Sequence, residues 1–349
     1  MANGSWQRLP AVPVAPSGGY TTVWTGRQVL LFGRRQTKAG DVKRVSVAAA
    51  YDPSANSWRR LYPPQQPDPY VGVSSVWTGT EMLIFGPGLA YNPRTNVWRE
   101  LPKVRNGFPR GIVVWTGREA IGWGGGCCCD YGSNGTAYNS TTGTYRNLPR
   151  SPLAGSQGPV GAWTGRELII FVGNLDCFAK PWPARLARAA AYNPATNTWR
   201  RIARMPAPGG TGVWDGRELL VIGGGSNGRS ALSYSPTKNH WRQLSPLPSS
   251  RVGAAIVWTG KQLLLWGGSK KTSNTSLVAP AIPSHGLAYD PRADRWSTLP
   301  QAPLAGRNGA TAVWTGREMI VWGGSRPNKP YGTGDEVLAN GATFTPAAP

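Results

Sequence analysis

Residues 311–324 read TAVWTGREMIVWGG and contain the unit on which the whole chain is built. Two short apolar runs, rich in Val, Ile and Trp, flank a Thr-Gly dipeptide. This pattern predicts two β-strands joined by a tight hairpin, because glycine readily adopts the positive φ that such a turn requires. The motif recurs about every 48 residues, in the range of repeats built from four β-strands. Its seven copies, one with Asp in place of Thr, contain Trp24, Trp77, Trp115, Trp163, Trp214, Trp258 and Trp314.

Each copy continues with a second predicted hairpin. In most copies a Tyr-Asp-Pro or Tyr-Asn-Pro element begins a turn, and a Trp follows it, as in Tyr289-Asp-Pro291 and Trp296. Each unit is therefore expected to have four antiparallel strands, a to d, with hairpins between a and b and between c and d. The last copy ends after Phe344 in strand c, whereas Trp6, near the start of the chain, lies in an isolated strand d. Joining the two closes a ring and removes exposed sheet edges.

The repeat resembles the kelch-repeat β-propeller family over essentially the whole chain. The resemblance rests on Gly-Gly pairs at 124–125, 223–224, 267–268 and 323–324, on the Tyr of strand c and on the Trp of strand d. It implies an all-β, seven-bladed β-propeller of four-stranded antiparallel blades, with the N-terminal strand completing the last blade. We expect one domain over residues 1–349, with blades at about 19–62, 71–102, 108–149, 158–203, 209–248, 251–300, and 307–349 plus 4–10.

Composition excludes several classes of protein. The chain has 349 residues, 17 Trp and only 15% charged residues, which argues against disorder. No apolar run is long enough for a membrane span. The two histidines, His240 and His285, are expected on opposite faces, so the copper set of galactose-oxidase-like kelch enzymes (two His, two Tyr and a Cys) cannot be assembled. We therefore expect neither a metal nor another cofactor.

The connections divide the ring into two faces. The b–c and d–a connections form one, the loop face, and the short a–b and c–d hairpins form the other, the hairpin face, where we expect no site. Function in such folds usually lies in variable loops held by a rigid scaffold. We therefore expect a site on the loop face at the mouth of the central channel; the alternative is that the long loops only cover strand ends. The candidate ligand-binding residues are Tyr20, Tyr70, Arg110, Asp130, Tyr131, Asp176, Trp182, Arg251, Arg307 and Tyr331.

Arg251 and Arg307 occupy equivalent places, seven residues before the Trp of strand a, and Tyr70 holds that place in blade 2. Guanidinium groups there would bind a carboxylate, sulfate or phosphate, and the kelch resemblance implies such a use. Alternatively, these arginines bond backbone carbonyls in the channel. Asp130, Trp182 and their neighbours share the loops of blades 3 and 4, where they suit a sugar, a cation or the capping of the loops themselves.

The four cysteines lie in the b–c loops of adjacent blades. One of the triplet, assigned as Cys129, is expected to form a disulfide with Cys177, leaving Cys127 and Cys128 for a vicinal bridge. Three consecutive cysteines do not suit a metal site. The expected disulfides favour an oxidising compartment, whereas the first residues lack the pattern of a signal peptide. We therefore expect an extracytoplasmic location if the chain is a mature form, and a cytoplasmic one otherwise.

These observations favour a monomeric binding propeller that recognises a glycan, peptide or other anionic partner through its loop face. One alternative is a small-molecule enzyme of mutarotase, epimerase, lyase or cyclase type, with His285, Asp335 or Glu336 as acid–base groups. Another is a scaffold subunit of a larger assembly. The repeat spreads the formal net charge of +22 over the rim and hairpins, which favours diffuse attraction to anionic polymers.

Overall fold

The computed structural model describes residues 4–37, 44–65, 72–104, 107–125, 134–153, 156, 158–172, 188–270, 282–327 and 335–347. All regular structure within these ranges is β-strand, in seven four-stranded sheets and one small two-stranded hairpin. The seven-bladed all-β fold expected from the repeat is confirmed. Among the described residues, no helix has the length and apolar character needed to cross a bilayer.

Blades 1 to 6 each follow the chain order from strand a to strand d. Blade 7 consists of β26, β27, β30 and β1, and β28 and β29 form the small hairpin. The strands are β1 (Gly4–Arg8), β2 (Gly18–Trp24), β3 (Val29–Gln36), β4 (Arg44–Asp52), β5 (Ser57–Leu61), β6 (Ser74–Trp77), β7 (Met82–Phe85), β8 (Leu89–Asn92), β9 (Val97–Glu100), β10 (Ile112–Trp115), β11 (Glu119–Trp123), β12 (Gly135–Asn139), β13 (Thr144–Asn147), β14 (Val160–Trp163), β15 (Leu168–Val172), β16 (Arg188–Asn193), β17 (Thr198–Arg201), β18 (Thr211–Trp214), β19 (Leu219–Gly224), β20 (Ser230–Ser235), β21 (His240–Gln243), β22 (Ala255–Trp258), β23 (Leu263–Trp266), β24 (His285–Asp290), β25 (Arg295–Gln301), β26 (Thr311–Trp314), β27 (Met319–Trp322), β28 (Ser325–Pro327), β29 (Asp335–Val337) and β30 (Gly341–Pro346).

The N-terminal strand closes the ring, as the sequence predicts. β1 pairs antiparallel with β30, and Trp6 lies opposite Phe344 in the register. The Trp6 ring centroid is 5.1 Å from that of Phe344 and 6.1 Å from that of Trp266 in blade 6. Its Nε1 donates a hydrogen bond to the Pro300 carbonyl at 2.9 Å. One side chain thus ties the start of the chain to both blade 7 and blade 6.

The core lies between adjacent blades. Strands b and c are buried on both faces, since each blade packs on two neighbours, and therefore read as continuous apolar runs. Phe32 of blade 1, for example, shares a cluster with Ile84 and Tyr91 of blade 2. Further clusters join blades 4 with 5, and 6 with 7. This packing joins each of these blades to its neighbour.

Two side-chain caps shape the hairpins. Thr25 Oγ1 accepts hydrogen bonds from the backbone N–H groups of Arg27 and Gln28, at 3.2 and 2.9 Å, while Gly26 takes a φ of 89°. In the one Trp-Asp-Gly copy, a carboxylate oxygen of Asp215 accepts the two equivalent bonds. The two motifs are therefore interchangeable. In the c–d hairpins, the positive-φ residues Asn56, Asn96, Asn197, Asn239 and Asp294 accept a hydrogen bond from the strand c tyrosine hydroxyl.

Candidate functional site

Arg251 lies at the loop end of blade 6, with 1% of its surface exposed. Its Nη1 donates to the carbonyls of Gly267 and His285, at 3.3 and 3.1 Å, and its Nη2 to His285 Nε2 at 2.9 Å. Its Nε is buried without a partner among the described residues. The guanidinium therefore joins the end of strand b to the start of strand c.

Arg307 does the same in blade 7 and is equally buried. Its Nη1 donates to the Gly323 carbonyl at 3.0 Å and to the carbonyl and Oδ1 of Asn340, while Nε donates to the Ala305 carbonyl. The guanidinium carbon also lies 5.5 Å from the centre of the Trp266 ring in blade 6. The geometry matches the backbone-carbonyl interpretation of both arginines, and neither guanidinium is open to a ligand in this conformation.

Both arginines are buried cations without a bonded carboxylate in the described part of the chain. Burial lowers the pKa of each to about 10. Both guanidinium groups nevertheless remain charged at neutral pH, because that value is still well above 7. These two positive charges, neither with a bonded carboxylate among the described residues, raise the electrostatic potential of the loop face.

Tyr20 seals the junction between blades 7 and 1. Its hydroxyl donates to the Gly309 carbonyl at 3.0 Å and accepts from the Gly324 N–H. A Cβ on Gly323 would lie 2.5 Å from the Tyr20 hydroxyl oxygen, so glycine is required there. Burial raises the pKa of Tyr20. A Tyr at this junction thus contacts the Gly-Gly pair of the preceding blade.

Sequence reasoning missed two buried polar residues on this face. Arg34, 1% exposed, stands where most blades have the second glycine of the pair. Ser156, 2% exposed, holds in blade 4 the place of Arg251 and Arg307, and its carbonyl accepts from the Gly125 N–H at 2.8 Å. The departure of Gly33-Arg34 from the repeat was a signal that could have identified Arg34.

Two of the candidate acid–base groups are engaged with arginines. Since arginine can only donate, its bond to His285 requires an unprotonated Nε2 and therefore a neutral ring. Glu336 accepts a bond from Arg326 Nε at 2.5 Å. Asp335 begins β29, opposite Pro327 in the register.

Arg110 lies before β10, half-buried, and its carbonyl accepts a hydrogen bond from Ser74 Oγ at 3.3 Å.

The other predicted site residues lie outside the described residues. These are Tyr70, Cys127, Cys128, Cys129, Asp130, Tyr131, Asp176, Cys177, Trp182 and Tyr331.

The two histidines lie at opposite ends of the propeller. His285 begins β24 at the loop face, and His240 begins β21 at the hairpin face. They cannot bind one metal ion together, so a copper centre with two histidine ligands does not fit this chain. Within the described ranges, no group of three His, Cys, Asp or Glu residues is placed to hold a metal ion.

Acid should destabilise the fold through His285. Burial, with a smaller effect from the charge of Arg251, lowers its pKa below the usual 6.5. Above that value the ring is neutral in both the folded and unfolded states. Below it the unfolded chain takes up a proton first, so stability is lost as the pH falls towards the lowered folded pKa. Urea unfolding of wild type and His285→Gln between about pH 8 and about pH 5 measures this. We expect a flatter profile in His285→Gln than in the control His240→Gln; equal profiles would contradict the assignment.

A repeated ion pair crosses the hairpin side of blades 2 to 5. In blade 3, Arg146 of strand d donates Nε and Nη2 to the two carboxylate oxygens of Glu119, at 3.0 and 2.6 Å. Its Nη1 continues to the Tyr192 hydroxyl and to Asn197 Oδ1 in blade 4. Each arginine thus links its own blade to the next. The equivalent pairs are Glu81–Arg99, Glu167–Arg200 and Glu218–Arg242.

Clefts open between blades on the hairpin face, where no site was expected from the sequence, and the following four are lined by described residues. Each is lined by the a–b turns of two adjacent blades and by the c–d turn of the second. They have volumes of 310 Å³ between blades 1 and 2, 730 Å³ between blades 3 and 4, 510 Å³ between blades 4 and 5, and 480 Å³ between blades 7 and 1. A smaller cavity of 140 Å³ is lined by Leu153 and Arg204.

Comparison with known proteins agrees with this architecture. No family model matches the chain. A Kelch-like protein, terF, from Aspergillus terreus is 26% identical over 252 residues, which are 64% of this chain. The match covers 53% of that relative, so the chain spans about half its length.

Two solved structures share the fold. A fungal alcohol oxidase of the AA5 family, in complex with copper, superposes with a TM-score of 0.71 at 15% identity, over 98% of this chain and 76% of the oxidase. YjhT superposes with a TM-score of 0.56 at 13% identity, over 97% and 99% of the two chains. Identities this low establish the fold alone. The sevenfold repeat and the closed ring of four-stranded blades make this chain a seven-bladed β-propeller, and its sequence is similar to that of a Kelch-like protein.

Proposed function

We propose that this propeller is a binding module whose loop face recognises a glycan, a peptide or another anionic partner. The observation that carries the proposal is the pair of buried guanidiniums, Arg251 and Arg307, which have no bonded carboxylate among the described residues. Their charge attracts anions to the channel mouth, and the attraction weakens with salt. We assign the direct contacts with the partner to the loop residues predicted from the sequence, among them Tyr131 and Trp182.

Two aromatic residues that the sequence predicts to bind the ligand, Tyr131 and Trp182, make this proposal testable. Biosensor surfaces carrying heparin-derived oligosaccharides or polyglutamate peptides would be exposed to the wild type and variants. We expect Tyr131→Ala and Trp182→Ala to weaken binding about tenfold, because aromatic anchors dominate such interfaces. Arg217→Ala, which removes an exposed charge on the hairpin face, is the matched control and should stay within about twofold. Equal losses in all three variants, or no binding by the wild type, would contradict a loop-face site.

A further inference from the structure

The repeat provides its own comparison for the cleft between blades 1 and 2. In blades 2 to 5, the acidic residue at the start of strand b neutralises the arginine of strand d. In blade 1 that place is held by Gln28, and Arg59 bonds Asn96 Oδ1 and the Tyr91 hydroxyl instead, at 3.2 and 3.3 Å. Among the described residues, Arg59 has no carboxylate partner. The hydrogen bonds that Arg59 makes to blade 2 match those that Arg146 makes to blade 4, so only the acid is missing.

The cleft beside Gln28 differs from the other three in its charges. Its described lining includes Arg27 and Arg94 and no carboxylate. The other three clefts contain Glu119, Glu167 and Glu318, respectively. Arg27 Nε forms a long ion pair with Asp52 Oδ2 at 3.9 Å, but the Arg27 side chain is 82% exposed and stays accessible to a ligand. An anion entering this cleft therefore meets two exposed guanidiniums and no carboxylate in the wall.

Part of the cleft wall is apolar. The half-buried Trp77 lines it, together with Pro93. The volume of 310 Å³ is at the lower end of the range for small-molecule sites, roughly 300 to 1,000 Å³. A single ring can lie on the indole, while its charged substituent reaches the guanidiniums.

We propose that the cleft between blades 1 and 2 binds a small organic oxyanion: a carboxylate, sulfate or phosphate ester carried on one ring. Arg27 and Arg94 bind the anionic group, with Arg59 adding positive charge, and Trp77 packs on the ring. The site lies on the face opposite the proposed partner-binding loops. The same chemistry is offered by a free ring ester and by one residue of a sulfated polysaccharide.

Isothermal titration calorimetry with phenyl phosphate and phenyl sulfate tests the site. We expect wild type to bind one equivalent, and Gln28→Glu to bind about tenfold more weakly, because the new carboxylate pairs with Arg59 and repels the ligand. The variant should fold, since five other blades carry Glu at this place. Arg94→Ala should lose a similar factor. Arg118→Ala, which removes the equivalent a–b turn charge of blade 3, is the control and should change affinity by less than about twofold.

A heparin-derived tetrasaccharide, titrated against the same variants, distinguishes the two sources of ligand. If Gln28→Glu and Arg94→Ala weaken the binding of both the phenyl esters and the tetrasaccharide, a free ring anion is sufficient as ligand. If only the tetrasaccharide shows that dependence, the site takes a residue of an anionic chain. The proposal is overturned if no probe binds, or if Arg118→Ala weakens binding as much as Arg94→Ala, since binding would then be diffuse.

Discussion

A variant lacking residues 1–8 will not fold into a stable propeller. This deletion removes β1 and leaves β30 as an exposed sheet edge in blade 7. It also removes Trp6 from the cluster that contains Trp266 and Phe344, together with its bond to the Pro300 carbonyl. We expect loss of cooperative thermal unfolding by circular dichroism, and aggregation on gel filtration.

Two further variants separate ring closure from other effects of truncation. Removal of residues 1–3 alone leaves β1 intact and should preserve the wild-type melting curve. Trp6→Ala keeps the strand but deletes its anchor, and we expect a loss of about 3–5 kcal/mol in the free energy of unfolding. A variant lacking residues 1–8 that melts like the wild type would show that the N-terminal strand does not close the ring.

Arg307→Ala should lower the free energy of unfolding by about 3 kcal/mol or more. The substitution leaves the buried Gly323 carbonyl without its donor, at roughly 1–3 kcal/mol for an unsatisfied group, and removes the bonds to the Asn340 carbonyl and Oδ1. It also removes the contact with Trp266. Urea unfolding at neutral pH measures the change.

Two comparisons make the Arg307 result specific. Arg317→Ala removes an exposed arginine ten residues away and should change stability by less than about 0.5 kcal/mol. Arg251→Ala should cost less than Arg307→Ala, because Arg251 Nε is buried without a partner among the described residues. An Arg307→Ala protein as stable as Arg317→Ala would contradict the bracing role of the buried guanidinium.

The fold was predictable because each blade repeats the same local physics. Gly26 and its equivalents require positive φ in the a–b turn, and Asn56 and its equivalents do so in the c–d turn. Ring closure was predictable because the last repeat has a strand c, with Phe344, but no strand d, whereas Trp6 lies in a strand d without strands a to c. These features depend on short stretches of sequence or on the number of strands in each repeat, so they can be recognised without a structure.

The roles of individual side chains were less predictable. A guanidinium at the start of strand a can bond either a ligand or the carbonyls of its own blade. The sequence around Arg251 does not distinguish these two roles. The pairing of Glu119 with Arg146 depends on strand register across 27 residues. The hairpin-face clefts arise from the spacing of neighbouring blades, which no single repeat contains. The sequence shows that Gln28 stands where other blades have Glu. Its consequence, that Arg59 lacks a carboxylate partner among the described residues, becomes clear only from the pairing of Glu119 with Arg146.

We propose that departures from the repeat, rather than the repeat itself, create the binding sites of this propeller. Moving one such departure to another blade should therefore move the site with it. Glu119→Gln should remove the carboxylate from the cleft between blades 3 and 4, which leaves Arg118 and Arg166 in its lining and Arg146 bonded only to Tyr192 and Asn197. In calorimetric titration with phenyl phosphate, this variant should show a second equivalent of binding, while Gln28→Glu loses the first. If both variants titrate like the wild type, the acid at this position does not control anion binding, and the claim is wrong.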